Sequence, residues 1–346
     1  TKQGWGAPLA APDLELRTGA LNRVVEHNAG DLTAVLEAGV PLAEAQAQFV
    51  AAGQMLALDP PLGREHTATI GGIVATGDSG PLRHRYGGPR DLVIGITVVL
   101  SDGTVARAGG NVIKNVAGYD LAKLLTGSFG TLGLIASVNV RLHPRPDSFA
   151  TALGSSSDPA ALATGARALA AAPLELEALD VAWRGGRGGL LARTTGADPE
   201  PRANRAAALM RERGLEQVEV TGADDELWAR QRAGQRAHGG ALVRVGARPS
   251  ELPQVLDAAQ ACGATLVGRA ALGTSYLALD PSGLELLRAR LSWARAVVLL
   301  DGPPELRRAQ DPWNVREGPA LELMRRLKHR FDPGSICNPG VFVGGI

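Results

Sequence analysis

Residues 109–135 read GGNVIKNVAGYDLAKLLTGSFGTLGLI, and this stretch limits what the chain can fold into more than any other. Glycine stands at 109, 110, 118, 127, 130 and 133 around a helix-like apolar segment, VAGYDLAKLL. Glycine is costly inside regular elements because it loses the most backbone freedom on folding. Its repetition beside a segment that needs burial implies a sharply turning backbone or something that comes close to it. A second such region, ATIGGIVATGDSGPLRHRYG (68–87), lies upstream. Its Gly71-Gly72 pair would let backbone N–H groups face an anion with no Cβ in the way. Thr69 and Ser79 add hydroxyls, and Arg83 and Arg85 add charge. Taken singly, each region reads equally well as a glycine-rich turn. Together, in one α/β domain, they fit two loops clasping a large cofactor.

Around these loops the first ~145 residues read as short strands and turns. LNRVVEHNAGDLTAVLEAGVPL predicts two or three strands, and LAEAQAQFVAAGQML a helix ending near Gly53. DLVIGITVVLSDGTVARAGG predicts a hairpin turning at Asp102-Gly103. GTLGLIASVNVRLHP is a further strand. RPDSFATALGSSSDP reads as a linker or domain edge. Beyond it strands alternate with longer helices: ALATGARALAAA, LELEALDVAW, PRANRAAALMRERG, then DDELWARQRAGQRA capped by Asp224 or Asp225. ALVRVGA, PSELPQVLDAAQACG, ATLVGRAALGTSYLALD, GLELLRARLSWA and AVVLLDG continue the pattern. This predicts an α+β domain with a largely antiparallel sheet and helices on one face. No 20–50-residue repeat is visible.

The length of 346 residues favours two domains. A net charge of +1 and 4% aromatic residues argue against a nucleic-acid surface. Cys262 and Cys337, the only cysteines, hold neither a disulfide framework nor an iron–sulfur cluster, which suggests a reducing, cytoplasmic setting. No apolar run of 18 residues predicts a transmembrane helix, and no signal peptide is apparent. No G-x-G-x-x-G follows a strand, no G-x-x-x-x-G-K-[ST] occurs, and GDSG misses G-x-S-x-G by one residue. His27, His66, His84, His143, His238 and His329 are scattered, without metal-ligand spacing.

In order, IGGIVATGDSG, RYG, KNVAGYDLAKLLTGSFGTLGLI and FDPGSICNPG resemble the FAD-linked oxidases of the vanillyl-alcohol oxidase/p-cresol methylhydroxylase (PCMH) family, nearest to the E-subunit type of bacterial glycolate oxidase. The resemblance implies an α+β fold. A PCMH-type FAD-binding domain of two subdomains would occupy 1–146, a ferredoxin-like cap domain 147–317, and a C-terminal segment returning to the FAD domain 318–346. It implies FAD, with the pyrophosphate held by main-chain N–H groups. Thr69, Ile70, Gly71, Gly72, Ala75, Thr76 and Ser79 occupy the positions of the family's central FAD loop. Gly130, Gly133 and Ile135 occupy the later one, and Asn338 the segment that approaches the flavin ring. Thr1 falls in the family's first FAD loop, inside which this sequence opens. Tyr119, Asp120 and Lys123 read as packing and helix-surface groups.

The resemblance further implies hydride transfer from a small 2-hydroxy acid to the flavin. Its partners would be a D-type FAD subunit and an iron–sulfur F-type subunit, in the cytoplasm or peripheral to the inner membrane through the complex. Three departures matter. Gly77 stands where the family has Asn, and Cys337 where Phe or Leu precedes NPG. The cap also lacks the H-x-G-D-G-N block of the catalytic relatives, which AHGGAL (237–242) does not replace. A non-catalytic structural partner of the D subunit, or a stand-alone alcohol oxidase, are the alternatives.

Overall fold

The computed structural model describes residues 4–9, 11–110, 120–237 and 239–346. Thr1, Tyr119 and His238 lie outside the described residues. The chain divides into two compact units, one of Thr1–Gly80, Tyr86–Arg145 and Val315–Ile346, the other of Pro81–Arg85 and Pro146–Asn314.

The first unit opens with β1 (Val24–Asn28) and β2 (Thr33–Glu37), an antiparallel pair, followed by α1 (Leu42–Val50). Gly53, with φ 67°, ends the turn after α1. Then come β3 (Gln54–Met55), α2 (Ile70–Thr76), the single-turn helix α3 (Arg83–Tyr86), of which all but Tyr86 groups with the second unit, the single-turn helix α4 (Pro89–Leu92), β4 (Val93–Val99), β5 (Val105–Gly109), α5 (Leu121–Leu125), β6 (Leu134–Arg141) and β7 (His143–Pro144). The sheet runs β1-β2-β6-β4-β5, antiparallel throughout. Leu36, Ile96, Val98 and Val138 from the sheet, Phe49 from α1 and Ile73 from α2 share one buried core. The β4–β5 hairpin turns through Ser101, Asp102 and Gly103. Leu100 and Thr104 close the loop, and Gly103 takes φ 83°.

The second unit carries β8 (Phe149–Ser156), α6 (Pro159–Ala171), β9 (Ala178–Arg184), β10 (Arg187–Thr195), α7 (Glu200–Glu212), β11 (Glu216–Thr221), α8 (Asp225–Ala233), β12 (Ala241–Gly246), α9 (Leu252–Ala261), β13 (Thr265–Arg269), β14 (Thr274–Leu279), α10 (Leu284–Arg290), β15 (Ala296–Asp301) and α11 (Pro304–Ala309). Its sheet order, β11-β8-β10-β9-β13-β14-β12-β15, is one pattern written twice. β8-α6-β9-β10-α7-β11 and β12-α9-β13-β14-α10-β15 are each a βαββαβ unit of ferredoxin-like order. The two join where β9 pairs with β13. The helices α6, α7, α9 and α10 share a single apolar core with the sheet, while Trp228 of α8 packs with Ala178 and Leu191 in a separate small cluster.

The stretch expected to be a linker holds β8, paired with β10 and β11 inside the sheet. Asp224 stands at the N-cap of α8, yet its side chain makes no capping bond. It accepts from Thr151 Oγ1 at 2.6 Å and pairs with Arg193. The last long helix, α12 (Pro319–Phe331), belongs to the first unit.

Candidate functional site

The first glycine region folds as α2 and the turn after it. Thr69 is extended (φ −86°, ψ 154°) and its Oγ1 accepts the Gly72 N–H at 3.3 Å, an N-cap. Ile70, Ile73 and Val74 are buried and anchor the helix. Gly71 donates its N–H to Ala38 O at 2.7 Å, and a Cβ on it would stand 2.6 Å from Ala38 Cβ. The expectation that the Gly71 and Gly72 N–H groups face an anion is therefore corrected. Both are engaged within the fold, and Gly71 is there because α2 lies against the backbone after β2. The Thr76 hydroxyl turns back onto Gly72 O at 2.7 Å. Ala75 offers its carbonyl and Ser79 is buried, its N–H on Asp78 Oδ1 at 3.0 Å. Gly77 ends α2 with φ 64°. Asn and Gly are the residues that adopt this conformation most readily, so the departure from Asn is conformationally neutral.

The second glycine region docks on the end of the first. Gly127 N–H donates to Val74 O at 2.9 Å, which also accepts the Gly77 N–H at 3.1 Å, and Phe129 N–H donates to Ala75 O at 2.8 Å, so the loop is tied to the C-terminal turn of α2. Gly127, Phe129 and Gly130 all have positive φ (79°, 57° and 71°). A Cβ on Gly127 would meet nothing within 4 Å, so the backbone is bare there. Gly133 and Ile135 serve otherwise. A Cβ on Gly133 would lie 2.8 Å from Val99 O, and Ile135 is a buried strand residue opposite Val98. Asp120 caps α5 by accepting the Lys123 N–H at 3.2 Å, and its carboxylate pairs with Lys123 Nζ at 2.7 Å.

The C-terminal segment closes over this second loop. Asn338, with φ 44°, donates from Nδ2 to Phe129 O at 2.8 Å, and the same nitrogen is what a Cβ on Gly130 would meet at 2.8 Å. The rings of Phe129 and Phe342 lie 5.5 Å apart. Two residues that the sequence reading passed over hold the segment. Lys328 Nζ, almost wholly buried, donates to Thr131 O and Cys337 O at 2.8 Å each and to Asp332 Oδ2 at 2.5 Å. Asp332 also accepts the N–H groups of Ile336 (3.1 Å) and Cys337 (2.8 Å). Burial pushes the Asp332 carboxyl up, but the Lys328 ammonium and these N–H groups outweigh it and hold it below the usual carboxylate range. The available signal was the i,i+4 spacing of one of only four lysines with Asp332. Of the expected site residues, the structure thus brings together Thr69–Ser79, Gly130 and Asn338.

Two glycine segments joined through backbone hydrogen bonds and closed by a C-terminal strap, in an α+β fold, fit a protein that binds an extended nucleotide cofactor. The bare backbone at Gly127 beside this junction gives such a group room to approach. Residues 4–109 match the FAD binding domain family. Over 146 residues the chain is 39% identical to glycolate oxidase subunit GlcE of Escherichia coli, covering 42% of this chain and 41% of that protein. Over 133 residues it is 37% identical to glycolate oxidase subunit GlcD of Bacillus subtilis, covering 38% and 28%. An uncharacterized FAD-linked oxidoreductase of Mycobacterium tuberculosis is 28% identical over 400 positions, covering 99% of this chain and 85% of that one. The chain thus spans less than half the length of the two glycolate oxidase subunits it matches. An alkyldihydroxyacetonephosphate synthase structure shares the fold, with TM-score 0.66 at 16% identity over 92% of this chain and 66% of that one. Residues 4–109 therefore carry an FAD binding domain with FAD as its cofactor, and an FAD-linked oxidoreductase is among the proteins the chain resembles.

Proposed function

We propose that the chain is the FAD-binding subunit of a complex that oxidises glycolate or a related 2-hydroxy acid. The likeness to GlcE carries this reading, supported by the joined glycine loops under the Asn338 strap. Thr69, Ile70, Gly71, Gly72, Ala75, Thr76 and Ser79 would hold the cofactor together with Gly130 and Asn338, with Gly133 and Ile135 fixing the strand behind the second loop. The chemistry FAD supplies when bound is acceptance of two electrons from a carbon that bears a hydroxyl. The chain's own part is to orient that group. Gly127 leaves the backbone open, Asn338 fixes the strap, and the Phe129–Phe342 pair keeps that corner apolar. The same proposal divides the chain into an FAD domain (1–146), a cap (147–317) and a returning segment (318–346). A D-type FAD subunit and an iron–sulfur subunit are the proposed partners, with the complex in the cytoplasm or peripheral to a membrane. No helix among the described residues is long and apolar enough to cross one.

The test is copurification with tagged chain, flavin quantitation in each subunit, and glycolate-dependent dye reduction by the chain alone and with its partners. Activity only with partners, and flavin in this chain, uphold the proposal. Turnover by the chain alone at the rate of the complex overturns the subunit assignment.

A second reading, a non-catalytic partner that stabilises the D subunit, draws support from the engaged N–H groups of Gly71 and Gly72. It also draws on the lack, among the described residues, of any three His, Cys, Asp or Glu side chains gathered as a ligand set. It predicts a colourless purified chain.

A further inference from the structure

We propose that Lys328 is a positioning residue for the cofactor site: its ammonium sets the second glycine loop and the C-terminal strap in the one register that admits FAD. The proposal rests on the FAD reading above. An ammonium has three N–H donors and no acceptor. Here all three are directed at different pieces of backbone or side chain: Thr131 O in the loop, Cys337 O in the strap, and Asp332 Oδ2 at the end of α12. The loop and the strap also meet through Asn338 Nδ2 on Phe129 O and through the Phe129 and Phe342 rings. Neither segment is a strand or helix at these points, so no ladder of backbone bonds sets their spacing.

The acceptors are themselves held. Thr131 donates its Oγ1 to Ser128 O at 2.7 Å and is buried, and Asp332 is tied to the Ile336 and Cys337 N–H groups. Lys328 therefore links two pre-formed turns instead of filling a gap between loose ones. A buried charge is costly unless its partners are in place, so displacing either turn leaves an ammonium or a carboxylate unpaired in the interior. That makes the arrangement close to all-or-none. The loop that carries Phe129 and Gly130 either sits under Asn338 or loses its hold on Lys328. An apolar side chain of the same length would fill the volume without selecting a register.

Lys328→Met tests this through two readouts. In the FAD-free chain, the amides of Phe129, Thr131 and Val341 are expected to lose nearly all their protection from hydrogen exchange, the loop being open about nine-tenths of the time, while Val138 in β6 keeps its protection, as local opening requires. The FAD dissociation constant, measured by flavin fluorescence titration, should rise about ten-fold as the competent loop population falls to about one tenth. Val140→Ala, a core change of comparable thermal destabilisation, should leave FAD affinity unchanged. If Lys328→Met does not fold, Lys328→Gln is read in the same way. Exchange at the three loop and strap amides that matches wild type, or that rises only in step with Val138, overturns the proposal, as does unchanged FAD affinity. A wild-type chain that binds no FAD refutes the FAD reading instead, and the exchange data from the FAD-free chain still decide the role of Lys328.

Discussion

Asp180 and Arg269 stand directly opposite each other across the seam where the two βαββαβ halves of the second unit meet. Both side chains are shut from solvent and form an ion pair. Gln231 Nε2 donates to the same Asp180 oxygen at 3.0 Å, and Gln235 Oε1 accepts from Arg269. Each half covers its helix-side face with Leu, Val and Ala, a packing that tolerates sliding. The ion pair sits on the two strands that join the halves. Because side chains alternate with a period of two, a slip of one residue would carry one partner to the helix side and leave both charges unpaired.

Arg269→Met should accordingly destabilise the second unit by about 3–5 kcal/mol, the cost of one uncompensated buried charge. Asp180→Leu combined with Arg269→Met should recover most of that loss. Urea unfolding followed by tryptophan fluorescence reads both, since Trp183 and Trp228 are buried in this unit. A single variant within ~1 kcal/mol of wild type would show that the pair does not hold the seam.

The adjacent glycines of α2 should separate under mutation. Gly71→Val forces branched carbon into a space where even a Cβ would lie 2.6 Å from Ala38 Cβ and 2.9 Å from Ala38 O. We expect a loss of about 1–3 kcal/mol or more, visible in thermal unfolding of the FAD-free chain. At Gly72 a Cβ meets only Thr69 Oγ1, at 3.2 Å. Gly72→Val should therefore stay folded but disturb the N-cap and reduce flavin content. A folded Gly72→Val chain with full flavin would move the cofactor away from this loop.

Elements whose signals are local were legible in both units. The β4–β5 hairpin, α1 with its terminal Gly53 and the Gly214 end of α7 follow from turn and cap residues. Strands β8 and β10 were not legible, because β8 ends in Gly154, Ser155 and Ser156 and β10 opens with Arg187, Gly188 and Gly189. Gly188 fits only because Trp183 fills the space a Cβ would need, 2.5 Å away, and that relation is invisible until β9 and β10 pair. The doubled βαββαβ pattern was hidden for the same reason. Each half conserves burial and order of elements, not residue identity. At the candidate site the family motifs located the loops, but Lys328 and Asp332 gain meaning only when α12 returns to Thr131.

The Lys328–Asp332 pair makes stability acid-sensitive. The folded carboxyl of Asp332 lies below its unfolded value of about 3.9, so the unfolded chain binds the proton more readily. The stabilisation is complete above that unfolded value and is lost as pH falls through the folded one. Asp332→Asn should be less stable at neutral pH and should show a shallower loss between pH ~5 and ~2. Parallel stability curves for the two proteins across that range would assign the acid sensitivity elsewhere.

Flavin bound to this chain should be held without a covalent bond. Cys337 adjoins Asn338 in the strap, in the same unit as the loops, whereas Cys262 belongs to the second unit. Burial pushes its thiol up, and the Asp332 carboxylate adds to the effect more than the Lys328 ammonium relieves it. At neutral pH it is therefore protonated, and the thiolate is the form that attacks. Its backbone is also fixed on both sides, the N–H on Asp332 and the carbonyl on Lys328, so the residue cannot swing to meet a ring. His84, on α3, has a buried Nδ1 with no hydrogen-bond partner among the described residues, and burial lowers its pKa. It belongs to the segment Pro81–Arg85 that groups with the second unit, not with the joined loops. Precipitation of the flavin-loaded chain with acid should release all the yellow colour to the supernatant. A fluorescent band on a denaturing gel would overturn this, and its loss in Cys337→Ser but not in His84→Ala would then name the thiol as the attachment point.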